Sequence, residues 1–388
     1  MRWFRSMVIG LCASGLLVNI TAWASDKGEF KTTPITKNGQ KWRIGYYEGG
    51  PYKNYPIVLT AVINGLIDLG WLEPLTFPPL NTDDSKVLWD FLAATATSPY
   101  LEFVADAHYS PNWDENITKT MRQALITRLN TQHDIDLMIA TGTTAGQSLA
   151  NNEHQTPTIV ISTNDPLGSG IIKSIEDSGY DHIHAQVDPQ RFERQIRAFH
   201  QVINFKTLGV AYENSPNGYK YAAMDIIKKV AAEKDFEIIT CYTKDEVPDV
   251  TVAEESVKAC FRELTGKVEA LYVTRQNGIS NKNLPELVQL AIAGKLPTFS
   301  QAGSDEVRAG FLLSMAQSGL THVGRFHAAA IAKVFNGAKP RQLEQLFAEP
   351  VELAVNVQTA KLIGVDLPPD LLEAANEVYT EILPAPGQ

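Results

Sequence analysis

Apolar runs of strand length alternate with helix-length amphipathic segments along most of this chain, and the alternation runs through twice. In the first round, residues 42–47 read as a strand and 56–69 as a helix, with helical character at 87–94 and strand character at 101–105. Ile117, Met121, Leu125, Ile126 and Leu129 then recur at helical spacing. An apolar run at 135–140, the turn Gly142-Thr143-Thr144 with a helix to about Asn151, and a buried strand at 157–162 complete the round. The second round starts with a strand at 208–212 and a helix face formed by Ala223, Met224, Ile227, Val230 and Ala231. Strands at 236–241, 268–274, 297–301 and 311–315 alternate with helices at 252–264 and 284–293. Val323, Phe326, Ala330, Ile331 and Val334 mark a helix stopped by Gly337, with Pro340 beyond. The end of the chain reads as a strand at 351–357 and, after Pro368-Pro369, a last helix at 370–382.

Many of these strands are apolar on both faces, the mark of parallel sheets covered by helices on both sides. The fold class is therefore α/β, with two doubly wound parallel-sheet (Rossmann-like) lobes. A length of 388 residues accommodates two such units.

The first 24 residues read as an address. Arg2 and Arg5 precede an apolar stretch from Met7 to Ile20, and Ala22-Trp23-Ala24 has the small-x-small form of a cleavage site. The apolar stretch is short for a membrane span, and Cys12 follows Leu11 where a lipoprotein would have a small residue. The expectation is an exported, periplasmic chain cleaved after Ala24. Residues 25–40 then read as a polar linker or arm. Cys241 and Cys260 remain after cleavage; in an oxidising compartment they can pair, and otherwise they are two buried thiols.

Composition narrows the function. The formal net charge is −10 and no basic run stands out, which argues against nucleic acid as a partner. Three cysteines support neither a disulfide scaffold nor a Cys-rich zinc module. Gly168-Ser169-Gly170 lacks the third glycine of a dinucleotide fingerprint, and there is no phosphate-binding loop ending in Lys-Ser or Lys-Thr. Gly146-Gln147-Ser148-Leu149-Ala150 is close to a nucleophile elbow, but Ser148 falls inside a helix rather than on the turn, so an exported serine hydrolase is a remote alternative. His182 and His184 share a strand face without a nearby third ligand and read as polar residues of an exposed crossover. His322 and His327, five apart on a helix, do not share a face. No catalytic set, no metal site and no cofactor is expected.

What the sequence does offer is a cleft. In open α/β sheets, ligands sit beyond the carboxyl ends of the strands. Gly142-Thr143-Thr144, Thr163-Asn164-Asp165-Pro166, Tyr212-Glu213-Asn214-Ser215 and Thr274-Arg275-Gln276-Asn277-Gly278 all stand at such ends. Tyr46, Tyr47, Gly49, Gly50 and Tyr52 form an aromatic, glycine-rich stretch after the first strand, suited to an amphipathic small molecule. Each stretch equally serves as an ordinary turn, cap or packing surface.

Taken in order, these stretches resemble the solute-binding proteins of ABC importers related to the tryptophan-binding protein, which have the type I periplasmic-binding-protein fold. Residues 139–147 (Ile-Ala-Thr-Gly-Thr-Thr-Ala-Gly-Gln) are similar to the family's first-lobe ligand loop, and 157–167 to its next strand and Asp-Pro turn. Residues 208–212 and 268–273 match strands of its second lobe, and 353–365 with Pro368 match its closing segment. The resemblance covers most of residues 41–382.

It implies a first lobe at 41–182 with a return segment at 318–338, and a second lobe at 183–317 with 339–388. Crossovers near 182–187 and 315–319 would form the hinge, and the lobes would close on one small polar or amphipathic solute, amino-acid-like or aromatic. The expected partner is a membrane permease, or alternatively a sensor kinase or chemoreceptor, and the chain is expected to act as a monomer.

Thr143 and Thr144 would donate to an anionic group, Asn164 and Asp165 would line the first-lobe wall, and Tyr47 would stack on the solute. Tyr212, Glu213, Arg275, Gln276 and Asn277 would cover it from the second lobe. Two departures bear on the solute. The family usually has Asp-Asn where this chain has Gln276-Asn277, and Gln cannot supply a charge for a ligand ammonium. Its Tyr-Asn-Pro is here Tyr212-Glu213-Asn214, which brings a carboxylate instead.

Overall fold

The computed structural model describes residues 29–79, 83–315, 320–348 and 350–384. The expected export segment at 1–24 and most of the expected crossover at 315–319 lie outside the described residues. The first lobe runs β1 (Trp42–Glu48), α1 (Asn54–Asp68), α2 (Ser85–Thr95), β2 (Leu101–Tyr109), α3 (Glu115–Thr131), β3 (Leu137–Thr141), α4 (Thr143–Leu149), β4 (Thr158–Ile161) and β5 (Ile183–Ala185). Its five strands are all parallel, in the order β2-β1-β3-β4-β5.

The second lobe follows with α5 (Arg191–Ile203), β6 (Thr207–Glu213), α6 (Pro216–Tyr221), α7 (Met224–Lys234), β7 (Glu237–Thr243), α8 (Val250–Leu264), β8 (Ala270–Val273), α9 (Leu284–Ala293), β9 (Thr298–Ser300), α10 (Ser304–Arg308) and β10 (Leu313–Ser314). The chain returns to the first lobe as α11 (Thr321–Phe335). It finishes in the second with β11 (Ala354–Asn356), α12 (Val357–Ile363), α13 (Pro369–Ala374) and β12 (Glu377–Tyr379). The second sheet has the order β12-β11-β10-β9-β8-β6-β7.

The inner strands of each sheet are buried on both faces, which is why they are apolar throughout, whereas edge strands such as β2 and β7 keep exposed residues. In the first lobe Ile44, Ile139 and Phe103 pack with Val58, Leu88 and Ile331 on one side. On the other side Tyr47, Met138 and Val160 pack with Leu125, Leu129 and Leu149. The second lobe repeats this with clusters around Phe199, Tyr272 and Ile227 and around Phe261, Leu271 and Leu287. The α1–α11 crossing is very close because the contact is made of small residues. A Cβ on Gly324 would lie 2.3 Å from the Ala61 carbonyl oxygen, so the helix backbones touch there. Among the described residues no helix is long and apolar enough to cross a membrane.

The structure corrects the sequence reading at several points. Strand β5 belongs to the first sheet, so the chain leaves that lobe after Ala185 rather than at residue 183. His182 and His184 are buried rather than exposed, because the Leu149 and Glu344 carbonyls and the Phe326 ring cover them. Residues 339–347 also stay with the first lobe. Arg341 pairs with Asp177 and Asp181, Gln345 donates to the Ser174 and Ile175 carbonyls, and Leu346 bridges to Val187.

Residues 29–40 are an arm pinned to this lobe rather than a free linker. Phe30 packs on its core, and Trp71 and Asn336 donate to the Thr32 and Thr33 carbonyls. Near the end, the stretch 351–357 yields only a three-residue strand, because Asn356 caps α12 by accepting from Thr359 N at 2.9 Å. The expected last helix stops at Ala374. Asn376 is tied to Leu353 there, and the chain re-enters the sheet as β12. Strand β11 runs antiparallel to β10, the one antiparallel pairing in this sheet among the described residues, because the chain re-enters the second lobe after its excursion through the first.

Candidate functional site

The carboxyl ends of β1 to β4 face those of β6 to β8 across a cleft. Tyr52, Tyr55, Trp113, Thr143, Ser162 and Asn164 line it from the first lobe. Tyr221, Asp245, Glu246, Arg275, Gln276 and Asn277 line it from the second. The lobes touch here. Thr144 Oγ1 donates to Glu246 Oε1 at 3.2 Å, Asn164 Nδ2 to the Tyr221 carbonyl at 3.4 Å and Gln147 Nε2 to Asn217 Oδ1 at 3.4 Å.

The first-lobe wall is aromatic, and glycines make room for it. A Cβ on Gly49 or Gly50 would strike the Trp113 ring at 2.7 or 2.6 Å, so the indole lies directly on the backbone after β1. The indole N–H donates to the Pro51 carbonyl at 3.0 Å. The Tyr55 hydroxyl sits where a side chain at residue 142 would be. Gly142 has φ +87° and a Cβ there would lie 1.9 Å from that oxygen. Tyr52 and Tyr55 meet edge to face with centroids 5.2 Å apart. Thr143 and Thr144 stand where β3 gives way to α4, and Thr143 Oγ1 is 3.3 Å from Thr163 Oγ1.

The second-lobe wall is acidic. Three strand-end loops are laced together around Asp245. Its backbone N–H donates to Glu213 Oε1 at 3.0 Å, its carboxylate accepts from Asn277 N at 2.5 Å, and its carbonyl accepts from Asn277 Nδ2 at 3.1 Å. Burial, with Glu246 and Glu213 nearby, lifts the Asp245 carboxyl to about 8 against the donation from Asn277. Burial and Glu213 also raise Glu246. Like charges crowded into a dry corner are stabilised by a cation.

The expected residues fall into two groups. Thr143, Asn164, Arg275, Gln276 and Asn277 line the cleft, and Thr144 reaches across it. Arg275 is oriented by the Gln301 and Ala302 carbonyls at 3.1 and 3.4 Å. The Gln276 amide turns away into the lobe, accepting from Thr243 Oγ1 at 2.7 Å and donating to the Ala211 carbonyl at 3.0 Å.

The others lie elsewhere. Tyr47 is fully buried in the core, because the first sheet is covered on both faces, and its hydroxyl donates to Ser148 Oγ at 3.3 Å. Tyr212 is buried between Tyr219 and Tyr242. Asp165 closes its own turn by accepting from Gly168 N at 2.7 Å. Glu213 holds the Asp245 loop and accepts from Ser215 at 2.9 Å. Ser148 donates to the Thr144 carbonyl at 2.8 Å inside α4.

The sequence reading missed Tyr55, Trp113, Tyr221, Asp245 and Glu246. The strand-end rule reaches Asp245 and Glu246, which follow β7, and Trp113, which follows β2. Among the described residues no group of three or more His, Cys, Asp or Glu is placed to hold a metal ion.

Comparison with known proteins places this geometry. Residues 106–379 match the family model described as ABC transporter substrate binding protein. A tyrosine-binding protein of Clostridioides difficile is 23% identical over 234 residues, 59% of this chain and 63% of that relative. This chain thus spans under two thirds of that relative's length.

Among solved structures, a conserved domain protein of Vibrio cholerae O1 biovar El Tor aligns with a TM-score of 0.66 at 17% identity, over 87% of this chain and all of that one. A Streptococcus pneumoniae ABC domain in complex with L-Trp aligns at 0.65 and 20%, also over 87% of this chain and all of that one. A ligand-free, open substrate-binding protein with adhesive properties from Clostridium difficile aligns at 0.57 and 18%, over 88% and all of that chain. At these identities the structures share the fold, the type I periplasmic-binding-protein architecture. The chain belongs to the ABC transporter substrate-binding protein family.

Proposed function

We propose that this chain is an exported solute-binding protein that closes its two lobes on a small amphipathic amine, amino-acid-like or aromatic, and delivers it to a membrane permease. One observation carries the solute class: Tyr52, Tyr55 and Trp113 of one lobe face Asp245 and Glu246 of the other across the cleft. Aromatic rings suit an apolar body, and they also favour a cation held against their faces. The buried carboxylates suit an ammonium group and replace the charge that Gln276 lacks. The tyrosine-binding relative and the tryptophan-bound structure fit that class.

In this reading Thr143, Thr144, Asn164 and Asn277 supply polar contacts along the solute, with Thr144 beside Glu246 at the ammonium end. Arg275 closes over it. The solute shifts an open–closed equilibrium, and the permease reads the closed form. Asp245, protonated in the empty cleft, ionises when the ammonium arrives. The 1–24 segment directs export, and the mature chain works as a periplasmic monomer without catalysis.

The test is mass spectrometry of the protein purified under non-denaturing conditions from its native periplasm, then of the small molecules released on unfolding. A stoichiometric amine-bearing solute supports the reading. A retained solute without a basic nitrogen overturns it.

A further inference from the structure

Beyond Asn164 and Arg275 the cleft continues as a narrower recess toward the first crossover. Gln186, Asp188, Arg191, Val323 and His327 line it, and it shares Ser162, Asn164 and Arg275 with the main cleft. Its charge is opposite to that of the mouth. Two guanidiniums and one carboxylate line the recess, whereas Asp245 and Glu246 dominate the other end. Asp188 is also held by Arg194, at 2.6 Å, which leaves the recess still more positive.

His327 is the second observation. It comes from α11, is completely buried, and neither ring nitrogen has a hydrogen-bond partner among the described residues. Burial and the neighbouring His184 lower it to about 3, so the ring is neutral and offers one N–H to an acceptor. A buried, unpartnered imidazole beside two guanidiniums calls for an acceptor that carries negative charge. A carboxylate suits these donors.

Resting on the proposed binding function, we infer that the recess is a subsite for a carboxylate on the far end of the solute, recognised by Arg191, Arg275 and His327. The solute is then an extended zwitterion. Its ammonium lies at Asp245 and Glu246, its apolar body against Tyr52 and Trp113, and its carboxylate toward the crossover. In a free α-amino acid the two charges sit on one carbon and do not reach both ends. A short peptide with an N-terminal aromatic residue separates them.

The test titrates ligand-stripped protein with L-tyrosine and with L-tyrosyl-glycine by calorimetry. The inference expects the dipeptide to bind roughly tenfold tighter or better, and His327→Leu to weaken the dipeptide by roughly tenfold while L-tyrosine stays within roughly twofold. L-Tyrosine binding as tightly as the dipeptide overturns the inference and leaves the proposed function standing. A variant that weakens both ligands alike also overturns it. Binding of neither ligand overturns both readings. Should His327→Leu fail to fold, Gln186→Ala at the edge of the recess takes its place, and the wild-type preference alone still decides.

Discussion

Lys53 Nζ of the first lobe lies 2.6 Å from Glu306 Oε1 of the second, and both side chains are nearly buried, 10% and 6% exposed. Glu306 also accepts from Ser300 Oγ at 2.7 Å within its own lobe. The pair joins the two lobes, and in the proposed closure it would act as a clasp for the closed form. Removing one partner of a buried pair strands the other, at about 3–5 kcal/mol, whereas replacing both with apolar groups is often neutral. Lys53→Met should therefore raise the dissociation constant of the solute by tenfold or more, by RT ln K at ~1.4 kcal/mol per decade. Lys53→Met with Glu306→Leu should recover most of that loss. Calorimetry reads the affinity, and small-angle scattering reads the fraction closed.

Asp245 makes binding depend on pH in a definite direction. An ammonium group pairs with the ionised carboxylate, yet in the empty cleft the group titrates at about 8. Affinity should therefore rise as pH goes from 6 to about 8, with a proton released on binding below about 8, and fall again where the solute's own ammonium loses its proton. Stability of the empty protein moves the other way. The folded value lies above the unfolded value of 3.8, so the unfolded chain gives up its proton first. Stability falls as pH rises through the window from 3.8 to about 8. Asp245→Asn should reduce both dependences, leaving the part due to Glu246, and weaken binding by roughly 100-fold, the scale of an unpaired buried charge. Calorimetry in buffers of different ionisation enthalpy counts the proton, and thermal melts across the window read the stability.

Thr144 tests where the solute sits. Its side chain is half-buried and reaches across the cleft to Glu246. A tyrosine there would occupy the cleft without entering either core. Thr144→Tyr should abolish binding while the melting temperature stays within a few degrees, by comparison with ordinary surface changes of about ±0.5 kcal/mol. Unchanged affinity by titration would put the solute elsewhere.

Much of the fold is written locally, and much of the cleft is not. Strand β3 is five buried residues in a row, and the Gly142-Thr143-Thr144 turn into a helix after it is legible in the same stretch, whereas the room Gly142 makes for the Tyr55 hydroxyl is a tertiary contact. Tyr46 and Tyr47 are adjacent and both buried, because the sheet is covered on both faces. Alternation thus gives no hint that Tyr47 points into the core and away from the cleft. Asp245 and Glu246 acquire meaning only when loops 32 residues apart converge and the opposite lobe lies over them, which no local pattern carries. The short β12 strand is likewise set by its neighbour β11 rather than by its own three residues.

Cys241 and Cys260 are joined in a disulfide between β7 and α8, with Cα atoms 5.5 Å apart. It closes a loop of sequence separation 19. Loop-closure entropy gives such a link about 3 kcal/mol. The double variant Cys241→Ser with Cys260→Ser should lose about that much in denaturant unfolding of the second lobe, and a reducing agent should produce the same loss in the native chain. Equal unfolding midpoints with and without reductant would mean that the link does not form in solution.

The most direct measurement of the whole account is a crystal structure of the protein carrying the solute it retains through purification. That solute should lie between Tyr52 and Trp113 on one side and Asp245 and Glu246 on the other, with its amine about 2.7–3.2 Å from a carboxylate oxygen. A solute bound outside the cleft, or one in the cleft that brings no cation to Asp245 or Glu246, would contradict it.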